Sequence, residues 1–355
     1  MDLPLLAVDV SCKTLDVVLR RDDGDTVGQF ANDKSGFARI RAWVREHGVT
    51  SPLVCLECTG TYGDAFATYA FRRGWRVAMI PPAMARNFAR CRNARTKNDP
   101  YDAYLLAELA QRMDLRLWSP PSPQELLLRQ LTRFRRELVD ERAGHRIRLH
   151  TPGMLPAIKA AIDHVVAALS EEIAALERQI AEVIASDPVM AHNYELLLTI
   201  PCLGTVVAPE LLAEIGDVGR FHNARQLAAF FGLTPAENRS GSSLHARPRL
   251  CKIGNSRGRR ALFLPAMNAM QGWSPLRAFA ERLLLRGKAR KAVVAALMRK
   301  LLHIVFGVLH HQTPFDPDWE LRRGGGLEGR LGGVGEPALR ASRVVQNCYP
   351  ITTSP

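Results

Sequence analysis

The spacing of apolar positions changes several times along the chain, and each change marks an element. Leu5-Leu6-Ala7-Val8-Asp9-Val10 is a short apolar run holding one acid, and Leu15-Asp16-Val17-Val18-Leu19 continues it after Ser11-Cys12-Lys13. A turn cluster, Asp22 to Asp25, follows, so two antiparallel strands are expected here. Phe37, Ile40, Trp43 and Val44 have helical spacing within Gly36 to Glu46, and Leu53 to Glu57 is again a strand. Tyr62 to Arg73 reads as a helix and Trp75 to Ile80 as a strand that Pro81-Pro82 stops; Asp102 to Arg112 is a further helix. Strands alternating with helices predict an α/β domain with a mixed sheet over residues 1–118.

Pro120, Pro121 and Pro123 mark a boundary. Beyond it, Glu125 to Leu149 and Ile158 to Ala185 are long helical patterns, broken at Pro152-Gly153 and Pro156. Leu169, Ile173, Leu176, Ile180 and Val183 step by four and three, a coiled-coil seam of about two heptads. Packing within the chain and dimerisation explain so short a seam equally well. Residues 119–190 are therefore expected to be a helical coiled-coil connector, and 191–315 a mostly α-helical C-terminal domain. The stretch 316–355 has little apolar periodicity and several glycines, and reads as a flexible tail.

Composition sharpens the partner. The 355 residues include 48 Lys and Arg against 35 Asp and Glu, a net charge of +13. A field of that sign attracts polyanions. Ala65 to Asn98 has no acid and eight bases: Arg72, Arg73, Arg76, Arg86, Arg90, Arg92, Arg95 and Lys97. Asn238 to Phe315 has one acid, Glu281, against fifteen bases. Ordinary solvated faces mix both signs, so these stretches point to nucleic-acid backbone; neither pairs its charge with the apolar face a membrane surface needs. Seven cysteines in a chain of this length suit the reduced thiols of a cytosol, and no basic leader is visible. Cys55 and Cys58 lack a second pair at zinc-ribbon spacing and read as buried strand residues. Ala292 to Leu309 is apolar but carries Arg299 and Lys300 at its centre, so no membrane span is expected.

In a basic chain, isolated acids need a reason. Asp9 lies inside the first strand, Glu57 ends a later one, and Asp99 and Asp102 share a face at a helix start. An acid in an apolar strand is costly unless paired or metal-bound. Four carboxylates meeting at one point would hold two divalent cations about 4 Å apart, Mg²⁺ or Mn²⁺, suited to phosphodiester chemistry. Capping explains Asp99-Pro100 and Asp102 equally well; it does not explain Asp9 or Glu57.

The chain resembles the insertion-sequence transposases with a DEDD catalytic domain, understood as bridge-RNA-guided recombinases. The resemblance rests on Ala7-Val8-Asp9-Val10-Ser11-Cys12-Lys13, Leu56-Glu57-Cys58-Thr59-Gly60-Thr61-Tyr62 and Lys97-Asn98-Asp99-Pro100-Tyr101-Asp102-Ala103. It resumes at Ile200-Pro201-Cys202-Leu203-Gly204, Phe230-Phe231-Gly232-Leu233-Thr234-Pro235, Arg239-Ser240-Gly241 and Lys252-Ile253-Gly254-Asn255. It implies an RNase H-like (RuvC-like) first domain with catalytic Asp9, Glu57, Asp99 and Asp102, and a nucleophilic Ser240 that forms a phosphoserine with DNA. It also implies a guide RNA, a dimer or tetramer whose subunits share the site, and a cytoplasmic, nucleoid-associated enzyme.

Ser240 lies in a Gly/Ser loop with no acid beside it, so its activation must come from elsewhere; Ser242 and Ser243 compete with it. Arg86, Arg90, Arg92, Arg95 and Lys97 are expected to bind nucleic acid, and Arg239, Arg247 and Lys252 to clamp the scissile phosphate. The turn at Pro201-Cys202-Leu203-Gly204 resembles a helix-hairpin-helix turn in which Cys202 replaces the usual glycine. If that position needs positive φ, cysteine costs about 1 kcal/mol or more there. A RuvC-like junction nuclease without a covalent intermediate, and a non-catalytic nucleic-acid-binding protein, are the competing functions.

Overall fold

A computed structural model describes residues 4–57, 62–92, 99–240, 244–272 and 274–317, and the chain divides into two units between Pro120 and Pro121. The first unit has five strands: β1 (Leu5–Val10), β2 (Thr14–Arg21), β3 (Gly24–Ala31), β4 (Leu53–Glu57) and β5 (Arg76–Ile80). Their order is β3-β2-β1-β4-β5. β1, β2 and β3 are antiparallel, while β4 and β5 run parallel to β1. The mixed sheet is covered by helices on both faces, the α/β arrangement that the sequence predicts.

Side-chain alternation assigns each face its helices. Leu6, Val8, Val54 and Leu56 pack under α1 (Lys34–Glu46) and α2 (Asp64–Arg72) with Phe37, Ile40 and Phe66. Leu5, Ala7, Cys55 and Ile80 pack on the other face under α4 (Asp99–Arg112) with Ala103, Leu106 and Ala110. Met84 and Phe88 of α3 (Pro82–Cys91) join that second layer. Asp33 starts α1 by accepting from the Gly36 amide at 2.7 Å.

Three elements depart from expectation. β3 continues past the turn cluster as an edge strand; its residues are exposed or half-buried and none is buried, so it carries no apolar run to reveal it. The chain does not merely stop at Pro81-Pro82: Pro82 is the first residue of α3, where a missing N–H costs nothing. α4 starts at Asp99 rather than Asp102.

In the second unit α5 (Pro123–Arg148) and α6 (Pro156–Ser186) lie against each other, as Leu131, Leu138, Leu169, Ile173 and Leu176 form a shared cluster. Ser122 and Glu125 close a capping box at the start of α5. The seam of α6 is thus spent inside the chain. Leu128 of α5 and Ile180 and Ile184 of α6 also belong to one core with α7 (Pro188–Leu198), α8 (Val207–Ile215), α9 (Ala224–Phe230), α10 (Ser256–Gln271), α11 (Ser274–Leu285) and α12 (Arg290–His311).

α12 is long and apolar enough to cross a membrane by length and composition, yet Val293, Leu297, Leu301, Leu302 and Val305 are fully buried within this core. Between the helices a hairpin, β6 (Pro235–Ser240) and β7 (Leu244–Leu250), interrupts what the sequence predicts as a helical unit. The expected tail lies outside the described residues from 318 onward.

Candidate active site

Three carboxylates stand in one row across the first sheet. The β1–β2 register pairs Asp9 with Asp16, and the β1–β4 register pairs Val8 with Leu56. Asp9 and Glu57 are the next residues of these two neighbouring strands, whose spacing is about 4.8 Å. Gln29 of β3 extends the row beyond Asp16, and its side-chain amide donates to Asp16 Oδ1 at 2.9 Å. Asp9 continues the face of Leu5 and Ala7, Asp16 that of Val18, and Glu57 that of Cys55, so all three acids belong to the face covered by α4.

α4 packs on the face of the sheet to which these acids belong. Arg20 at the far end of β2 pairs with Leu5, stacks over Tyr104 at 4.9 Å and donates to Gln111 at 3.2 Å. Arg20 thus meets α4 at two positions about two turns apart, and Asp99 and Asp102 stand in the helix's first turn. Ala103 and Leu106, buried on the sheet, continue the helix face on which these two acids begin. The Asp99 side chain lies outside the described residues; Asp102 is half-buried.

The donors are all carboxylate oxygens, a set that suits a hard cation such as Mg²⁺ or Mn²⁺. Among the described residues, no three His, Cys, Asp or Glu side chains converge closely enough to hold an ion. Cys55, buried on the same face, is a poor ligand, since burial pushes its thiol up to about 12. Cys58 lies outside the described residues.

Asp16 joins the candidates from the structure. It is 4% exposed and sits inside an apolar strand, so the reasoning that marks Asp9 applies to it equally. What hid it was register: without the pairing of β1 and β2 nothing places it beside Asp9.

The basic candidates of this unit divide. Arg86 and Arg90 are exposed on α3, one turn apart. Arg92 is also exposed, but its guanidinium lies 3.0 Å from the buried Glu108 and ties α3 to α4. Arg95 and Lys97 lie outside the described residues.

In the second unit Ser240 is the last residue of β6, at the tip of the hairpin rather than in an open loop, and pairs with Leu244 across it. Residues 241–243, including Ser242 and Ser243, and the side chains of Arg239, Ser240 and Arg247 lie outside the described residues. Lys252 is exposed and sits at φ 58°.

The hairpin's base is tightly specified. Asn255 N–H donates to Phe230 O at 2.8 Å and Lys252 N–H to Gly232 O at 3.2 Å, locking the Phe230–Thr234 segment to the Lys252–Asn255 segment. Gly254 has φ 127°, and a Cβ there would lie 2.3 Å from Phe230 O, so no other residue fits. Asn255 caps α10 through Gly258 N–H and donates to Glu214 at 2.6 Å. Burial works against the Glu214 carboxylate, but hydrogen bonds from Arg133 and Asn255 outweigh it and hold it below the usual carboxylate range. Cys202 has φ 76°, so the turn before α8 does demand the backbone a glycine adopts freely.

Comparison with known proteins adds a family. A transposase model of the DEDD, IS110 type matches residues 6–156, and a model described as transposase IS116/IS110/IS902 family matches residues 194–281. The pilin gene-inverting protein of Moraxella bovis is 32% identical over 323 residues, 89% of this chain and 98% of that protein. The transposase for insertion sequence element IS1328 of Yersinia enterocolitica is 24% identical over 76% of this chain and 85% of its own. T. thermophilus RuvC, solved with a Holliday junction substrate, aligns with 33% of this chain and 100% of its own at 14% identity and a TM-score of 0.26.

Proposed function

Because the chain belongs to the IS116/IS110/IS902 family of transposases, we propose that it cuts and rejoins DNA at the ends of an insertion element through a serine–DNA intermediate. What supports this reading is that Asp9 and Glu57 end neighbouring parallel strands on the sheet face that α4 covers, with Asp99 and Asp102 in that helix's first turn. These four residues would hold Mg²⁺ (or Mn²⁺), which when bound supplies positive charge for oxygens that gain negative charge during transfer.

Ser240 is the nucleophile. Its Oγ bonds to a DNA phosphorus while one bond from that phosphorus to a deoxyribose oxygen breaks. The serine proton leaves to a base, and the departing oxygen takes up a proton to become a hydroxyl. Attack by a hydroxyl of another strand reverses the step, rejoins DNA and frees the serine; the number of P–O bonds is unchanged, so no energy source is required. Arg239, Arg247 and Lys252, on and beside the same hairpin, hold the phosphate. Arg86, Arg90, Arg95 and Lys97 hold the backbone near the carboxylates, while Arg92, also expected to bind nucleic acid, is held by Glu108.

Ser240 and the four acids stand in separate units, which suits a site shared between copies in a dimer or tetramer. A non-coding guide RNA supplies most of the sequence choice, and the enzyme works in the cytoplasm at the nucleoid. The relative named for pilin gene inversion supports strand exchange over hydrolysis, since inverting a segment requires rejoining.

The test incubates the protein with Mg²⁺, DNA of its element ends and the adjoining non-coding RNA, and looks for a protein–DNA adduct on a denaturing gel. The expected adduct disappears in Ser240→Ala and falls at least about a hundredfold in Asp102→Asn. Cleavage that survives Ser240→Ala without adduct would establish the hydrolytic nuclease instead.

A further inference from the structure

Away from the hairpin, α9 and α12 enclose an open cavity of about 390 Å³ lined by Asn223, Ala224, Arg225 and His303. Arg299 and Lys300, one turn before His303 on α12, add to the same field. We propose that Arg225, Arg299 and His303 form a seat for one phosphodiester of a nucleic-acid backbone. It rests on the reading of this chain as an enzyme acting on nucleic acid, and it uses none of the residues assigned to catalysis.

The first argument is uncompensated charge. Among the described residues neither Arg225 nor Arg299 is in an ion pair, and the described charges facing His303 are all positive: Arg299, Lys300 and Arg225. Burial and the nearby Arg225 make the Arg299 guanidinium a weaker base than usual. Like charges gathered in a partly buried hollow are costly in the free protein, and an anion converts that cost into affinity.

The second argument is hydrogen bonding. His303 Nε2 is buried with no partner among the described residues, although a polar atom so placed normally has one. Burial, then Arg299, Lys300 and Arg225, push the imidazole down to about 4, so at neutral pH it is uncharged and can still donate one N–H. Guanidinium forks beside a neutral donor match the tetrahedral oxygens of phosphate. The only acid between Asn238 and Phe315, Glu281, is taken up by Arg277 at 2.9 Å, so the field is not quenched from within that stretch.

The experiment uses the full chain and two variants, Arg225→Gln and Arg299→Gln, singly and together. Binding of duplex DNA and of single-stranded RNA is measured over a salt series. If both arginines hold one phosphate, each variant lowers the slope of log K against log salt by about 1, and the double variant lowers it by no more than that. Loss on DNA alone identifies DNA as the source of the phosphate, and loss on RNA alone identifies RNA.

A second readout is the His303 ring by NMR, assigned with His303→Gln. Inorganic phosphate should shift its titration upward in the parent protein and not in the double variant. Arg299→Gln should also melt no lower than the parent, because it relieves repulsion. Unchanged slopes on both nucleic acids, with a His303 ring indifferent to phosphate, would overturn the seat while leaving the strand-exchange reading intact.

Discussion

At the scale of the residue, Asp16 shows how a single side chain gains meaning from its neighbours. It is a buried acid, bonded to Gln29 and level with Asp9, so its charge adds to that of the row. Asp16→Asn keeps an Oδ1 that can accept from Gln29 and removes only the charge. We expect the Mg²⁺ concentration for half-maximal strand cleavage to rise about tenfold while the melting temperature is unchanged, as for other groups that support metal ligands. A metal titration of cleavage beside a thermal melt checks both halves. His303 gives a residue-scale pH effect. Its folded value, about 4, lies below the ordinary 6.5, so the unfolded chain binds the extra proton between them, and stability falls as pH drops through that window. In His303→Gln the fall between pH 6.5 and 4 should be shallower, read by urea titration at each pH.

At the scale of the element, the β6–β7 hairpin depends on what lies beneath it. Phe231 packs over Gly258 so closely that a Cβ there would lie 2.0 Å from the ring, and Asn255 links the α10 cap to Glu214 and hence to Arg133 of α5. Gly258→Ala should destabilise the protein by about 1–3 kcal/mol, because either α10 or the Phe231 ring must move. Glu214→Gln should cost a comparable amount, about 2 kcal/mol, by leaving Arg133 without its carboxylate. Chemical denaturation measures both, and either change should slow adduct formation before it unfolds the chain. The motifs around Gly232 and Gly254 are legible in the sequence as motifs; that they form one locked base is not, because eighteen or more residues separate them along the chain.

At the scale of the whole molecule, the charge of +13 is distributed over both units, with Arg86 and Arg90 exposed on α3 and the α9–α12 cavity in the second. If roughly eight phosphates are contacted, log K should fall with log salt at a slope of about −7, measured by anisotropy with duplex DNA. A slope near −2 would mean that most of the excess base serves solubility rather than binding.

The sequence by itself determined the alternation of strands and helices in the first unit and the acids Asp9 and Glu57 at strand positions where polar groups are costly. These follow from local period and local polarity. It did not reveal β3 or the β6–β7 hairpin, because an exposed edge strand and a polar hairpin have no apolar run to betray them. Tertiary structure alone decided that Asp16 stands beside Asp9, that the α6 seam is spent on α5, and that Arg225 shares a cavity with His303. Pairing register and helix packing join residues far apart in the chain, and no local pattern encodes which residues will meet.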